Sequence, residues 1–401
     1  MERSRTTDMC TLAFPQALGT GIVVQVQLRM TDSAESDNQH ANLTSQMTDS
    51  AESDNHTPRT TSQMTDSAES DNQHANLTSQ MTDSAESDMR EAVAALLRTY
   101  EHTLSRFRED SLVAAMRRAT HGGSFDFPDW AGGLFDLYDA LHEASDGAID
   151  PCVGEDLTRL GYGPAYTFAA QPNARAYAGA VHGRATWHGS VERHGCTLIT
   201  RGPVSLDFGA CGKGYAVDLI AALLRDGGCN DERNTERNTE HNADHHAGPN
   251  ANRAADRALV IDAGGDLLVH LGQSPDQPVP LRVALEHPSD STQAVGVAEI
   301  MDGALCASAP SRRYWGEQSG MRLHHLLNAI DGMPADSVAA AWAYVPQQAA
   351  FPCATADGLA TALFVTPPDR LRARFRFECA LIDADGMLHA SRNFPATLFL
   401  A

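Results

Sequence analysis

Cationic side chains are scarce in this sequence. Its 401 residues include 30 Lys and Arg against 52 Asp and Glu, which gives a formal net charge of −22. Proteins that bind nucleic acids present a basic face to the phosphates, and a chain with this charge balance has no such face. The composition therefore argues against nucleic-acid binding.

Paired cysteines and long apolar runs are also missing. None of the eight cysteines belongs to a Cys-x-x-Cys pair, and scattered thiols in a chain of this length indicate a reducing compartment. No segment approaches the roughly 20 apolar residues that a membrane span requires. Residues 1–16 lack the apolar stretch of a signal peptide, and no lipobox precedes Cys10. We therefore expect a cytoplasmic protein without a transmembrane segment.

A 17-residue repeat dominates the early sequence. The unit Met-Thr-Asp-Ser-Ala-Glu-Ser-Asp begins at Met30 and recurs at Met47, Met64 and Met81. Aromatic and β-branched aliphatic residues are almost absent from it, so it cannot bury enough surface to offset the entropy lost on ordering. We predict that residues 30–88 are disordered.

A second polar segment covers residues 229–256. It repeats Glu-Arg-Asn-Thr and contains His241, His245 and His246. The histidines would suit a metal-binding tract, but a segment of this composition is more typical of a loop insertion, and we favour that interpretation. We predict that this segment is disordered as well.

The remaining sequence predicts one folded domain, built from residues 1–29, 89–228 and 257–401. Helical periodicity indicates helices at 90–106, 130–145, 356–365 and 370–375. Short apolar or alternating runs indicate strands at 21–28, 203–206, 259–262, 267–271, 281–285, 305–308 and 337–345. Because the strands cluster after the first helices and do not alternate strictly with helices, we expect an α+β fold rather than a doubly wound sheet.

The most informative stretch is the glycine-rich segment from Asp207 to Asp218. An apolar run precedes it and a helical pattern follows, which predicts a strand, a turn and a helix. Peptide N–H groups at a helix N-terminus stabilise an anionic phosphate, and Lys213 inside the turn would add positive charge. The spacing matches neither a P-loop nor the Gly-x-Gly-x-x-Gly motif of dinucleotide-binding domains.

A carboxylate and a hydroxyl are spaced four residues apart in the predicted helix at 356–365. Asp357 and Thr361 would share one helical face, where their oxygens could bind a hard cation such as Mg²⁺. The spacing alone also fits a helix-capping Asp and a buried Thr, and this second interpretation is the commoner one.

Three further features are weak individually. Asp150 lies in a turn that enters a new element, residues 263–266 read Ala-Gly-Gly-Asp after a strand, and His325 follows His324. Each is usually structural: a turn acid, a tight hairpin and a core histidine. The chain has neither a Ser–His–Asp signature nor a His-Glu-x-x-His motif.

Taken in order, these pieces resemble the FAD:protein FMN transferases, the ApbE family. The motifs that carry the resemblance are Leu18-Gly19-Thr20, residues 104–111, 146–154, 207–218, 262–266, His325 and residues 356–363. They span nearly the whole chain outside the two polar segments. The resemblance implies a single ApbE-type (T-fold-like) catalytic domain that binds FAD together with Mg²⁺.

The resemblance also implies an activity and a set of site residues. Enzymes of this family cleave FAD, release AMP and attach FMN through a phosphoester bond to a Thr or Ser of a partner flavoprotein, which could be membrane-associated. By position, the residues that line the FAD site would be Leu18, Phe107, Ala148, Ile149, Asp150, Asp207, Lys213 and Leu327. The Ala210 carbonyl and the Asp357 and Thr361 side chains would bind the metal. His325 is our candidate to deprotonate the acceptor hydroxyl.

Several positions depart from the family pattern. Leu18 stands where the family usually has Met, and Asp262 replaces a usual Asn. The usual Thr-Ser-Gly reads Ala-Ser-Ala at 307–309. After the histidine, Asn328 replaces an Asp and Asp331 replaces a Thr. A new carboxylate beside the phosphates could repel them.

Three functional interpretations remain open from the sequence. The first is a Mg²⁺-dependent FMN transferase acting on a protein. The second is an FAD pyrophosphatase of the same fold, in which water replaces the acceptor hydroxyl and the products are FMN and AMP. The third is a flavin-binding protein whose catalysis has lapsed. The altered loops favour the third, whereas Asp207, Lys213, Asp357 and Thr361 argue against it.

Overall fold

An antiparallel sheet of eight strands forms the centre of the molecule. The computed structural model describes residues 9–27, 66–225, 257–272, 279–316 and 322–399, with the backbone alone for residues 66–83. The strand order is β1-β2-β6-β7-β10-β15-β16-β17, and every neighbouring pair is antiparallel. The strands are β1 (Met9–Phe14), β2 (Ile22–Gln27), β6 (Leu259–Asp262), β7 (Asp266–His270), β10 (Asp302–Ser308), β15 (Val338–Val345), β16 (Glu378–Asp383) and β17 (Leu388–Ala390).

Helices cover one face of this sheet. Alternate strand residues point to opposite faces, and on β7 Leu268 belongs to the core beneath the helices. Helices α7 and α8 pack on each other and on the central strands. The helices are α1 (Asp66–Leu104), α2 (Leu112–Arg118), α3 (Gly132–Ala144), α4 (Gly154–Arg159), α5 (Ala174–Tyr177), α6 (Trp187–Ser190), α7 (Gly212–Arg225), α8 (Pro352–Ala362) and α9 (Pro368–Arg372).

A second core lies on the opposite face of the main sheet. Leu267 and Val269 of β7 point to this side, where they pack with Leu285 and Ile300 of a smaller antiparallel sheet. That sheet has the order β18-β9-β8, with β8 (Leu281–His287), β9 (Asp290–Ile300) and β18 (Ala396–Leu398). The central strands β7, β10 and β15 are therefore buried on both faces, whereas β1 and β2 leave one face exposed.

Three smaller groups of antiparallel strands lie outside the two larger sheets. Three strands pair in the order β3-β5-β4, and two short hairpins, β11–β12 and β13–β14, lie between β10 and β15 in sequence. Their bounds are β3 (Gly123–Asp126), β4 (Val191–His194), β5 (Thr197–Thr200), β11 (Tyr314–Trp315), β12 (Leu323–His324), β13 (Leu327–Asn328) and β14 (Met333–Pro334).

The α+β prediction is confirmed, and most of the predicted elements are present. The prediction of a strand at 203–206 is wrong: Val204 and Leu206 are buried there, but no strand among the described residues pairs with this segment. Its alternation reflects core packing, which needs no ladder of hydrogen bonds. None of the described helices is long and apolar enough to span a membrane.

The disorder predicted over residues 30–88 stays a prediction. Helix α1 begins at Asp66, within the repeat segment, and the first of its described side chains to be buried is Met89. Ser, Asp, Asn and Thr, which are weak helix formers, make up most of residues 66–88. Packed residues further along α1, such as Val93 and Leu97, stabilise this helix. Residues 30–65 and 229–256 lie outside the described residues.

Candidate active site

A cavity of about 650 Å³ lies at the end of the central strands where β10 ends and its neighbours β7 and β15 begin. The structure places every predicted site residue on its wall. These residues are Leu18, Phe107, Ala148, Ile149, Asp150, Asp207, Ala210, Lys213, His325, Leu327, Asp357 and Thr361. Residues that are up to 343 positions apart in sequence, from Leu18 to Thr361, therefore face one space.

The glycine-rich turn forms one wall of the cavity. Asp207 accepts a hydrogen bond from the Gly209 N–H at 2.6 Å and forms an ion pair with the Arg106 guanidinium. Arg106 also donates to the Tyr162 carbonyl oxygen at 2.7 Å. Sequence analysis assigned no role to Arg106, although this residue is part of the 104–111 motif. Its buried guanidinium fixes the Asp207 carboxylate at the cavity wall.

Asp357 lies in the middle of α8 and does not cap it. The carboxylate of Asp218, on α7, accepts hydrogen bonds from the N–H groups of Cys353 at 3.1 Å and Ala354 at 2.8 Å. Asp218 therefore caps α8, which begins one turn earlier than the sequence predicted. The capping interpretation of Asp357 is wrong, and its buried carboxylate faces the cavity.

Lys213 is already engaged with two carboxylates. Its ammonium forms an ion pair with Asp266 and lies 3.4 Å from Asp357 Oδ1. Asp357 Oδ2 accepts a hydrogen bond from the Gly214 N–H at 3.0 Å. The Lys213 side chain is nevertheless 34% exposed and lines the cavity.

Burial and neighbouring charges determine the ionisation of Asp357 and Lys213. Burial, and then the nearby carboxylate of Asp266, raises the pKa of Asp357 to about 7, although Lys213 acts in the opposite sense. Burial alone would lower the pKa of Lys213, but Asp266 and Asp357 outweigh it and hold that pKa above its ordinary value. Because a nearby cation stabilises the charged form of a buried carboxylate, Asp357 favours the binding of a cation beside it.

The oxygen donors predicted for a metal lie together. The Thr361 hydroxyl lies 3.4 Å from the Ala210 carbonyl oxygen and 3.3 Å from the Ser308 hydroxyl. Asp357 is one turn earlier on the same helix. Mg²⁺ prefers such oxygen ligands and usually takes only one or two carboxylates from the protein, so this donor set fits it. In the described part of the chain, no group of three or more His, Cys, Asp or Glu side chains could hold a metal ion.

His325 faces the cavity with a neutral ring. Burial, followed by the positive charge of Arg313, lowers the pKa of His325 to about 4. Its Nδ1 atom is buried and has no hydrogen-bond partner within the described residues. The imidazole is therefore uncharged at neutral pH, and the residue lines the cavity.

Asp150 and Leu18 reach the cavity from loops whose backbones are fixed. Asp150 accepts hydrogen bonds from the N–H groups of Cys152 at 2.8 Å and Trp187 at 3.0 Å. Leu18 has a left-handed backbone with φ of 53°, and its N–H donates to Glu101 at 3.0 Å. A positive φ is uncommon for leucine, and the bond to Glu101 helps to hold it.

The altered loop after His325 does not point a carboxylate into the cavity. Asp331 is exposed, and its carboxylate accepts a hydrogen bond from the Met333 N–H at 2.9 Å. Asn328 likewise accepts from the Ile330 N–H at 3.0 Å. Both substitutions therefore stabilise local turns. The expected repulsion between Asp331 and a phosphate has no support in this geometry.

The chain matches the model of a known protein family, the ApbE family, over residues 70–231 and 250–381, well over half of its length. It belongs to the ApbE family. Curated relatives named FAD:protein FMN transferase include a protein of Vibrio cholerae, 25% identical over 289 residues, covering 70% of this chain and 74% of the relative. Another, from Treponema pallidum, is 26% identical over 294 residues, covering 69% of this chain and 70% of the relative.

Solved structures agree with the family assignment. The ApbE protein of Thermotoga maritima aligns with a TM-score of 0.64 at 18% identity, covering 96% of this chain and 98% of that one. The Pseudomonas stutzeri flavinyl transferase ApbE aligns with a TM-score of 0.63 at 20% identity, covering 98% of both chains. At these identities the likeness shows a shared fold. The family match and the curated relatives together confirm the resemblance to the ApbE family that the sequence motifs indicated.

Proposed function

We propose that this protein is a Mg²⁺-dependent FAD:protein FMN transferase. The observation that carries the proposal is the meeting of Lys213, Asp357, Thr361 and the Ala210 carbonyl at one end of a cavity large enough for a nucleotide. Relatives of comparable length bear that name, which supports the same activity here.

The proposed reaction transfers one phosphoryl group. The oxygen of a Thr or Ser hydroxyl on an acceptor flavoprotein attacks the phosphorus on the FMN side of the FAD pyrophosphate. The bond from that phosphorus to the bridging oxygen breaks, and AMP leaves with that oxygen. The hydroxyl proton passes to a base, and FMN remains attached through a phosphoester bond.

Four groups at the cavity would bind the metal and the pyrophosphate in this proposal. Asp357, Thr361 and the Ala210 carbonyl would hold Mg²⁺, which supplies positive charge to the pyrophosphate oxygens as charge develops on them. Lys213 would bind a phosphate oxygen from the start of α7, where peptide N–H groups also favour an anion. These groups bind and orient the pyrophosphate, and little covalent chemistry is left to the protein.

His325 is the proposed acceptor of the hydroxyl proton. Its ring is neutral because burial and Arg313 disfavour the charged form. The negative charges of a bound pyrophosphate would offset Arg313 and Lys213 and so raise the basicity of the ring in the complex. The position of His325 on the cavity wall supports this role.

Product stoichiometry tests the proposal. The protein is mixed with FAD and Mg²⁺, with and without a flavoprotein containing an Asp-Gly-x-Ser/Thr-Gly-Ala segment, and AMP and free FMN are measured by chromatography. A transferase releases AMP only with the acceptor and leaves little free FMN. Equal amounts of FMN and AMP without the acceptor would instead identify a pyrophosphatase. No AMP with an acceptor proven competent with another transferase would indicate a binding protein.

A further inference from the structure

The sequence analysis assigned no role to Asp266, whose carboxylate pairs with the Lys213 ammonium. Asp266 begins β7 and is 1% exposed. One of its oxygens is paired with the Lys213 ammonium, while Oδ1 is buried and has no hydrogen-bond partner within the described residues. Asp266 itself does not line the cavity, although its neighbours Gly265 and Leu267 do. It therefore stands behind Lys213 and out of reach of a ligand.

The backbone holds Asp266 firmly in that position. Its carbonyl oxygen accepts a hydrogen bond from the Ala263 N–H at 3.0 Å, closing the β6–β7 turn. The residue also pairs with Cys306 in the central sheet. A charged group placed so rigidly behind an ammonium fixes where that ammonium can go.

The charges of the three side chains do not cancel. Asp266 and Asp357 share one cation, Lys213, so the group carries a net charge of −1 when both acids are ionised. Without the charge of Asp266, Lys213 would neutralise Asp357 entirely. A divalent cation would then meet a neutral pair, and its attraction to the site would fall.

We infer that Asp266 is a positioning residue for the divalent cation and the phosphate. It holds Lys213 against itself, so that the group of three side chains keeps a net negative charge that attracts a cation while the ammonium stays at the cavity wall. This inference rests on the proposed function, because it assumes that Asp357 is a metal ligand.

Charge substitutions and Mn²⁺ affinity test the inference directly. Mn²⁺ binding is measured on the full-length protein by electron paramagnetic resonance without FAD, so that no activity is required. Asp266→Asn keeps the shape but removes the charge, and we expect at least tenfold weaker binding. Asp302→Asn is the matched control, since Asp302 lies at the opposite end of the β7–β10 pair, beside His270. It should bind Mn²⁺ as the wild type does.

A second pair of variants separates charge from structure. Lys213→Gln leaves a net charge of −2 and should bind Mn²⁺ more tightly than the wild type does. The double variant D266N/K213Q returns to −1, so its affinity should recover to within about threefold of wild type. A merely structural role for Asp266 would not produce this recovery.

The outcomes distinguish the inference from the function on which it rests. Wild-type affinity in folded Asp266→Asn would overturn the inference and leave the proposed metal site standing. If Asp266→Asn does not fold, equal affinities for Lys213→Gln and the double variant would overturn it in the same way. No Mn²⁺ binding by the wild type would overturn the proposed metal site, and the inference with it.

Discussion

The peptide N–H of Gly214 donates a hydrogen bond to the carboxylate of Asp357 at 3.0 Å, which joins the first turn of α7 to the middle of α8. The contact is possible because position 214 has no side chain. A Cβ atom there would lie 2.3 Å from the Cys353 carbonyl oxygen, far inside van der Waals contact with backbone. The glycine thus allows the two helices to approach closely enough to build the site.

Replacing Gly214 by alanine should therefore damage both stability and metal binding. The two helices must move apart, and we expect a loss of about 1–3 kcal/mol in the free energy of unfolding, as overpacking usually costs. Denaturant titration measures this loss. Gly202→Ala is the control, because a Cβ atom there meets nothing within 4 Å. Equal stability of Gly214→Ala and the control would refute the close-packing argument.

The hydroxyl of Thr361 should contribute modestly to cation affinity. Thr361→Val removes the oxygen while keeping the branched shape, and we expect roughly five- to tenfold weaker Mn²⁺ binding, corresponding to about 1 kcal/mol. Thr361→Ser keeps the oxygen and should retain most of the affinity. Isothermal titration calorimetry compares the two variants, and indistinguishable affinities would remove Thr361 from the proposed ligand set.

His324 should make stability depend on pH. Burial lowers the pKa of this residue to about 4, whereas the pKa of the unfolded side chain is about 6.5. Between these values the unfolded chain binds a proton that the folded chain excludes. The contribution of His324 to stability is therefore complete above pH 6.5 or so and is lost as the pH falls toward 4.

His324→Gln tests this pH dependence, since glutamine does not titrate. Between pH 7.5 and 5.0 the variant should lose less stability than the wild type, by about 1–2 kcal/mol. The measurement is the free energy of unfolding by urea at both pH values. Comparing the two proteins removes the contributions of other titrating groups, and parallel pH profiles would contradict the prediction.

Local patterns account for the part of the site that the sequence predicts. The glycine-rich turn, the four-residue spacing of Asp357 and Thr361, and the position of His325 are all visible within short stretches. The periodicity of apolar residues likewise locates most strands and helices, because it follows directly from which residues are buried.

Contacts between distant residues account for what the sequence does not reveal. Arg106 pairs with Asp207 across 101 positions, Asp218 caps α8 across 135, and Asp266 pairs with Lys213 across 53. No local pattern shows which distant residue each of these acids contacts. The strand prediction at 203–206 was wrong for a related reason, because alternation of apolar residues indicates burial but does not show whether a partner strand is present.

The intact mass of an acceptor flavoprotein tests the central claim most directly. The acceptor is incubated with FAD, Mg²⁺ and either the wild-type protein or Asp357→Asn, and is then weighed by mass spectrometry. The account predicts that the wild type adds one FMN to the acceptor, that EDTA prevents the addition, and that Asp357→Asn slows it at least a hundredfold. An unchanged acceptor mass with the wild type, or full transfer by Asp357→Asn, would contradict it.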